Sequence, residues 1–147
     1  MFRIASDENG AFEVGRNKQD IQFAGFVEAN FPEYTGMAEE YPDFKLWYAT
    51  LHIFDPKGKH LKSHILLEGS SADGERGVIA KAKIDLQAMI DEALGEVKRE
   101  DIKIEPFKME YEGRTFGIMQ VRNRDEYQLM PGGMVFRGDG TYSSCNA

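Results

Sequence analysis

With 147 residues and a mass of 16.7 kDa, the chain has the length of one domain, since single domains cluster at roughly 100–150 residues around one core. Apolar residues at 41% and aromatics at 12% supply enough surface to bury against the entropy of ordering the chain, which excludes an intrinsically disordered class. A formal charge of −7, from 18 Lys and Arg against 25 Asp and Glu, repels phosphate backbones and sets nucleic acid aside as a partner.

The opening residues, Met1 to Glu8, hold no apolar run of signal-peptide length, and no stretch of the sequence approaches the ~18 apolar residues of a membrane span. A membrane is therefore not an expected partner. Asn9-Gly10 signals a two-residue turn with a strand on either side, because a type I′ hairpin needs positive φ at both central residues. From Asp20 to Glu28, Ile21, Phe23 and Val27 fall two or four residues apart, with Gln22 and Glu28 on the alternate face. That alternation predicts a third strand, interrupted only by Phe26.

Between Asn30 and Asp43 the periodicity stops. Pro32, Gly36 and Pro42 punctuate a loop carrying Glu33, Glu39, Glu40 and Asp43 but no Lys or Arg, interleaved with Phe31, Tyr34, Met37 and Tyr41. Long loops commonly pack their own side chains, so a satellite cluster beneath the loop is the plain expectation. The sharper one is a docking surface, because aromatic anchors bury area at low entropic cost and surrounding carboxylates complement a basic partner.

Lys45 to Phe54 and His60 to Leu67 alternate on either side of the turn residues Asp55 to Lys59, which is a hairpin. Pairing Phe54 with His60 places Trp47, Ala49, Leu51 and Ile53 on one apolar face with Leu61, Ser63, Ile65 and Leu67. The wetter face then holds Leu46, Tyr48, Thr50 and His52 with His60, Lys62, His64 and Leu66.

After the loop from Gly69 to Gly74, Val78, Ile79, Ala82, Leu86, Met89, Ile90, Ala93, Leu94 and Val97 form one helical stripe, with Ile84 alone outside it. A competing strand pattern, Ala80, Ala82, Ile84 and Leu86, explains fewer residues. Gly95 suits a helix stop. Ile102 to Tyr111 and Arg114 to Arg122 form a hairpin about Glu112-Gly113, and pairing Tyr111 with Arg114 gathers Phe107, Met109, Phe116 and Ile118 on one face. Pro106, which lacks an N–H, marks the first of these strands as an edge or as carrying a bulge there. Tyr127 to Met130 and Met134 to Arg137 turn at Pro131-Gly132-Gly133, and a mobile tail is expected over 138–147. The fold predicted is a single α+β domain over 1–147: an antiparallel sheet of about six to seven strands in hairpins, covered on one face by a single long amphipathic helix.

The candidate chemistry is sparse. His60 and His64, four apart on a strand, are separated by about 13 Å at roughly 3.3 Å per residue and cannot share a metal. His52 lies diagonal to both but brings no evident third ligand. Ser70-Ser71 lacks the Gly-x-Ser-x-Gly elbow and reads as turn or helix-cap residues. Neither phosphate-binding glycine motif occurs. The single Cys145 excludes an internal disulfide and fits a reducing cytoplasm.

The sequence thus points to a small acidic cytoplasmic interaction or accessory module, for example an inhibitor or immunity-type binder of a basic protein. Its contact residues would be Phe31, Glu33, Tyr34, Glu39, Glu40, Tyr41 and Asp43. The alternative is a small-molecule-binding protein or enzyme using the polar face of the 45–67 hairpin, with Tyr48, Thr50, His52, Lys62 and His64 as contacts. No catalytic residue, cofactor or metal is predicted, and enzymatic activity is the lesser expectation.

Overall fold

A computed structural model describes residues 1–30 and 45–143. Within them lie twelve strands and one α-helix. The strands are β1 (Phe2–Ile4), β2 (Glu13–Asn17), β3 (Gln22–Asn30), β4 (Leu46–Phe54), β5 (His60–Ser70), β6 (Val97–Arg99), β7 (Ile102–Ile104), β8 (Phe107–Tyr111), β9 (Arg114–Gln120), β10 (Glu126–Met130), β11 (Val135–Arg137) and β12 (Tyr142–Ser143); helix α1 spans Glu75–Leu94. Two five-stranded antiparallel sheets run in the orders β5-β4-β3-β2-β6 and β12-β11-β10-β9-β8, and β1 pairs with β7 in a third, two-stranded sheet.

The α+β class and the helix-covered antiparallel sheet are as the sequence predicts. Val78, Ala82, Leu86, Ile90 and Leu94 are the buried stripe of α1, while Ile84 is 70% exposed. The stripe packs on Phe23, Ala49, Leu51 and Ile53 of the first sheet. Gly25 makes that approach close, since a Cβ there would meet Leu86 Cδ1 at 2.9 Å. Ser70 and Asp73 cap the short 3-10 turn leading into the helix, each accepting a backbone N–H of the other's neighbourhood.

The other face of the same sheet is covered as well. Ala24, Phe26 and Phe54 pack against Ile118, Leu129 and Phe136 of the second sheet, and Phe2, Ile4, Ile102 and Ile104 close the end of this core. The molecule is thus helix on sheet on sheet, one layer more than hydrophobic periodicity indicates. Covering on both faces explains why β3 and β4 are buried almost along their length. It also places the polar residues of β4 inside.

The β8–β9 hairpin has the predicted register, with Tyr111 opposite Arg114 and Met109 opposite Phe116, and β8 is an edge strand. Three other sequence-based expectations need correction. The turn expected at Asn9-Gly10 lies one residue earlier, with Glu8 and Asn9 at its centre and the Gly10 N–H donating to the Asp7 carbonyl, and the Asn9 and Ala11 N–H groups donate to the Asp7 carboxylate; the flanking strands pair elsewhere, β1 with β7 and β2 with β3 and β6. Past Gly138 the chain adds β12 to the edge of the second sheet. In the β4–β5 hairpin, Phe54 pairs with His60 as predicted, but Ile53 pairs with Lys62. Leu61 is the extra residue of a β-bulge that inverts the faces from Lys62 to Leu67, and a second extra residue, Glu68, restores them where Trp47 pairs with Gly69. Tyr48, Thr50 and His52 accordingly face the same way as Ser63, Ile65 and Leu67, and Leu51 and Ile53 lie opposite His64 and Lys62.

Candidate functional site

Polar side chains converge at two places in the layer between the large sheets. At the first, Glu28 of β3 is 3% exposed, and its carboxylate accepts a hydrogen bond from Thr50 Oγ1 of β4 at 2.6 Å and from the Gly132 backbone N–H at 3.0 Å. Gly132 belongs to the β10–β11 turn, so this carboxylate ties one sheet to the other. Burial outweighs both hydrogen bonds and pushes the Glu28 pKa from 4.5 to about 7.

At the second, β4 and β5 bring two imidazoles onto one hydroxyl. Ser63 Oγ lies 2.6 Å from His52 Nδ1 and 2.8 Å from His60 Nε2. Phe107 of β8 closes over them, stacked on His60 at 4.3 Å between ring centroids and edge-on to His52 at 4.9 Å. His52 is wholly buried, and burial lowers its pKa to about 3, with the neighbouring His60 adding to the effect. His52 Nε2 has no hydrogen-bond partner among the described residues. Burial also lowers the pKa of the half-buried His60, so both rings are neutral at pH 7.

The proposed ligand face is therefore divided. Tyr48, Thr50 and His52 are at most 3% exposed and lie between the sheets. Lys62 and His64 emerge on the opposite face, where they line an open cleft of about 350 Å³ with Met89, Glu92 and Ala93 of α1. Phe31, Glu33, Tyr34, Glu39, Glu40, Tyr41 and Asp43 lie outside the described residues.

Two residues of this layer escaped the sequence reading. Ser63 belonged to the face expected to be apolar, because the alternation carries no mark of a bulge. Glu28 read only as a member, with Gln22, of the alternate face of its strand; the available signal was its place between Val27 and Ala29 in a strand rich in apolar residues.

Beyond these clusters, β5 is the edge of the first sheet among the described residues, and Leu61, Leu66 and Leu67 are exposed along it at 53%, 41% and 48%. Among the described residues no group of three or more His, Cys, Asp and Glu could hold a metal ion, and no helix is long and apolar enough to cross a membrane. Comparison with known proteins finds no family model, no curated protein and no solved structure that matches the chain.

Proposed function

We propose that this domain acts in the cytoplasm by binding a basic protein, as an accessory or inhibitor module of the immunity type. One juxtaposition supports the reading. The segment 31–44 contributes four carboxylates and no cation, −4 of the formal −7, and it springs from the end of the first sheet where Asn30 pairs with Leu46 and Leu46 with Ser70. The exposed Leu66 and Leu67 lie on the edge strand beside that end. Exposed leucines in a chain that concentrates its negative charge in one segment suit a cationic surface, with the charge raising the association rate and the leucines supplying buried area. Tyr34 and Tyr41, with Phe31, are the aromatic anchors; Glu33, Glu39, Glu40 and Asp43 are the complementary charge.

The test is capture from native extract with the wild-type chain and with a variant carrying Glu33→Lys, Glu39→Lys, Glu40→Lys and Asp43→Lys. A basic protein retained by the wild type, released by raised salt and lost with the variant supports the reading. Equal retention by both chains, or capture of no basic protein, overturns it.

The cleft lined by Lys62, His64, Met89, Glu92 and Ala93 favours a second reading, a small-molecule binder. A ligand held there raises the melting temperature of the wild type, and His64→Ala with Lys62→Ala removes that rise. A rise that persists in the double variant excludes the cleft.

A further inference from the structure

Ser63 bridges two imidazoles with a single hydroxyl proton, so it donates to one ring and accepts from the other. His52 Nε2 is buried and has no partner among the described residues, so the proton of that ring belongs on Nδ1, where Ser63 Oγ accepts it. The Ser63 hydroxyl therefore donates to His60 and accepts from His52 Nδ1–H. His52 Nε2 becomes a lone pair, whereas the reverse assignment strands an N–H at that buried, partnerless atom, an arrangement native structures avoid.

A hydroxyl that donates to a neutral imidazole pairs a nucleophile with its base. The base is held by its stacking on Phe107. Ser63 is only partly buried and lies on the strand that forms the edge of the sheet among the described residues, with exposed Leu61 and Leu67 on the same strand. We infer that Ser63 is a nucleophile served by His60 as general base, and that it takes the acyl group of an uncharged apolar ester reaching the β5 edge.

In the acylation step, Ser63 Oγ bonds to the ester carbonyl carbon while its proton passes to His60 Nε2. The tetrahedral adduct then breaks its bond to the leaving alcohol, whose oxygen takes that proton. Water attacks the acyl carbon next, passing a proton to His60, which returns it to Ser63 Oγ as the carboxylic acid departs. Ester and water become acid and alcohol. His52 is a positioning residue, its Nδ1–H holding Ser63 Oγ so that the hydroxyl proton turns toward His60. The acidic segment takes no part, so this inference is independent of the docking reading, and either can fail alone.

The full-length chain is incubated with an uncharged alkyl fluorophosphonate, which forms an Oγ–P bond as fluoride leaves, and the adduct is located by intact mass and peptide mapping. The expected result is one adduct at Ser63, formed at least about 100-fold faster in the native chain than in urea. That rate falls as acid protonates His60. Ser63→Ala removes the adduct, and His60→Gln slows it by about 100-fold or more. An adduct elsewhere, a native rate no greater than in urea, or an undiminished rate in folded His60→Gln overturns the inference. The comparison of native with unfolded wild-type chain decides the matter even where a variant does not fold.

Discussion

A carboxyl group enclosed between two sheets has its proton equilibrium set by the surrounding dry layer. For Glu28 the displacement from 4.5 to about 7 corresponds to ~3 kcal/mol. The folded chain holds this proton more tightly than the unfolded chain, so the side chain costs stability as pH rises from 4.5 to 7 and the full cost is present above 7. Glu28→Gln reproduces the protonated form: the amide donates to Thr50 Oγ1, Thr50 turns its hydroxyl to the Phe26 carbonyl already 3.5 Å away, and the amide oxygen keeps the Gly132 N–H. Urea unfolding at pH 8 should find the variant more stable by ~1–3 kcal/mol, and at pH 4 within ~1 kcal/mol of wild type. A difference independent of pH would show that Glu28 does not titrate in this range. Glu28→Ala, in contrast, removes the 3.0 Å bond from the Gly132 N–H that ties the two sheets together and, at pH 4 where the carboxyl is neutral, should destabilise by ~1–3 kcal/mol.

At the scale of elements, the helix tests the first layer directly. Ile90, wholly buried against the first sheet, and Ile84, 70% exposed, are the same residue type six positions apart on α1. Ile90→Ala should cost ~2–5 kcal/mol, and Ile84→Lys should stay within ~0.5 kcal/mol; chemical denaturation of both variants checks the contrast, and similar costs would mean the helix is rotated. This element was legible because its stripe repeats at the helical period over five turns, and the β8–β9 hairpin was legible because a two-residue turn leaves one register that sorts its faces. The β4–β5 hairpin was not. Unbroken alternation already sorts it into an apolar and a wetter face, nothing in the sequence marks Leu61 as an extra residue, and only coordinates show that Ser63, not Lys62 or His64, meets His52. Pairing between strands distant in sequence, as in β1 with β7, leaves no local trace either.

At the scale of the whole molecule, the second sheet is the feature that periodicity concealed, because a strand buried on two faces can carry polar residues that satisfy one another rather than water. Its consequence is that two titratable groups of opposite behaviour share one dry layer. His52 stays neutral in the folded chain down to about pH 3, while the unfolded imidazole takes its proton near 6.5; stability is therefore complete above 6.5 and is lost, by up to ~5 kcal/mol, as pH falls toward 3. Glu28 has the opposite slope between 4.5 and 7. Each involves one proton, so where the two windows overlap, from 4.5 to 6.5, the slopes cancel. His60 and Glu68, both less buried, act in the senses of His52 and Glu28 respectively. The unfolding free energy of the wild type should run nearly flat across the overlap and fall by ~2 kcal/mol between pH 4.5 and 3. Removing one slope exposes the other: in Glu28→Gln the decline begins at pH 6.5 and approaches ~1.4 kcal/mol per pH unit. Urea titrations of both chains at half-unit intervals measure this, and a variant profile parallel to that of the wild type would mean that the two groups do not occupy a common desolvated layer.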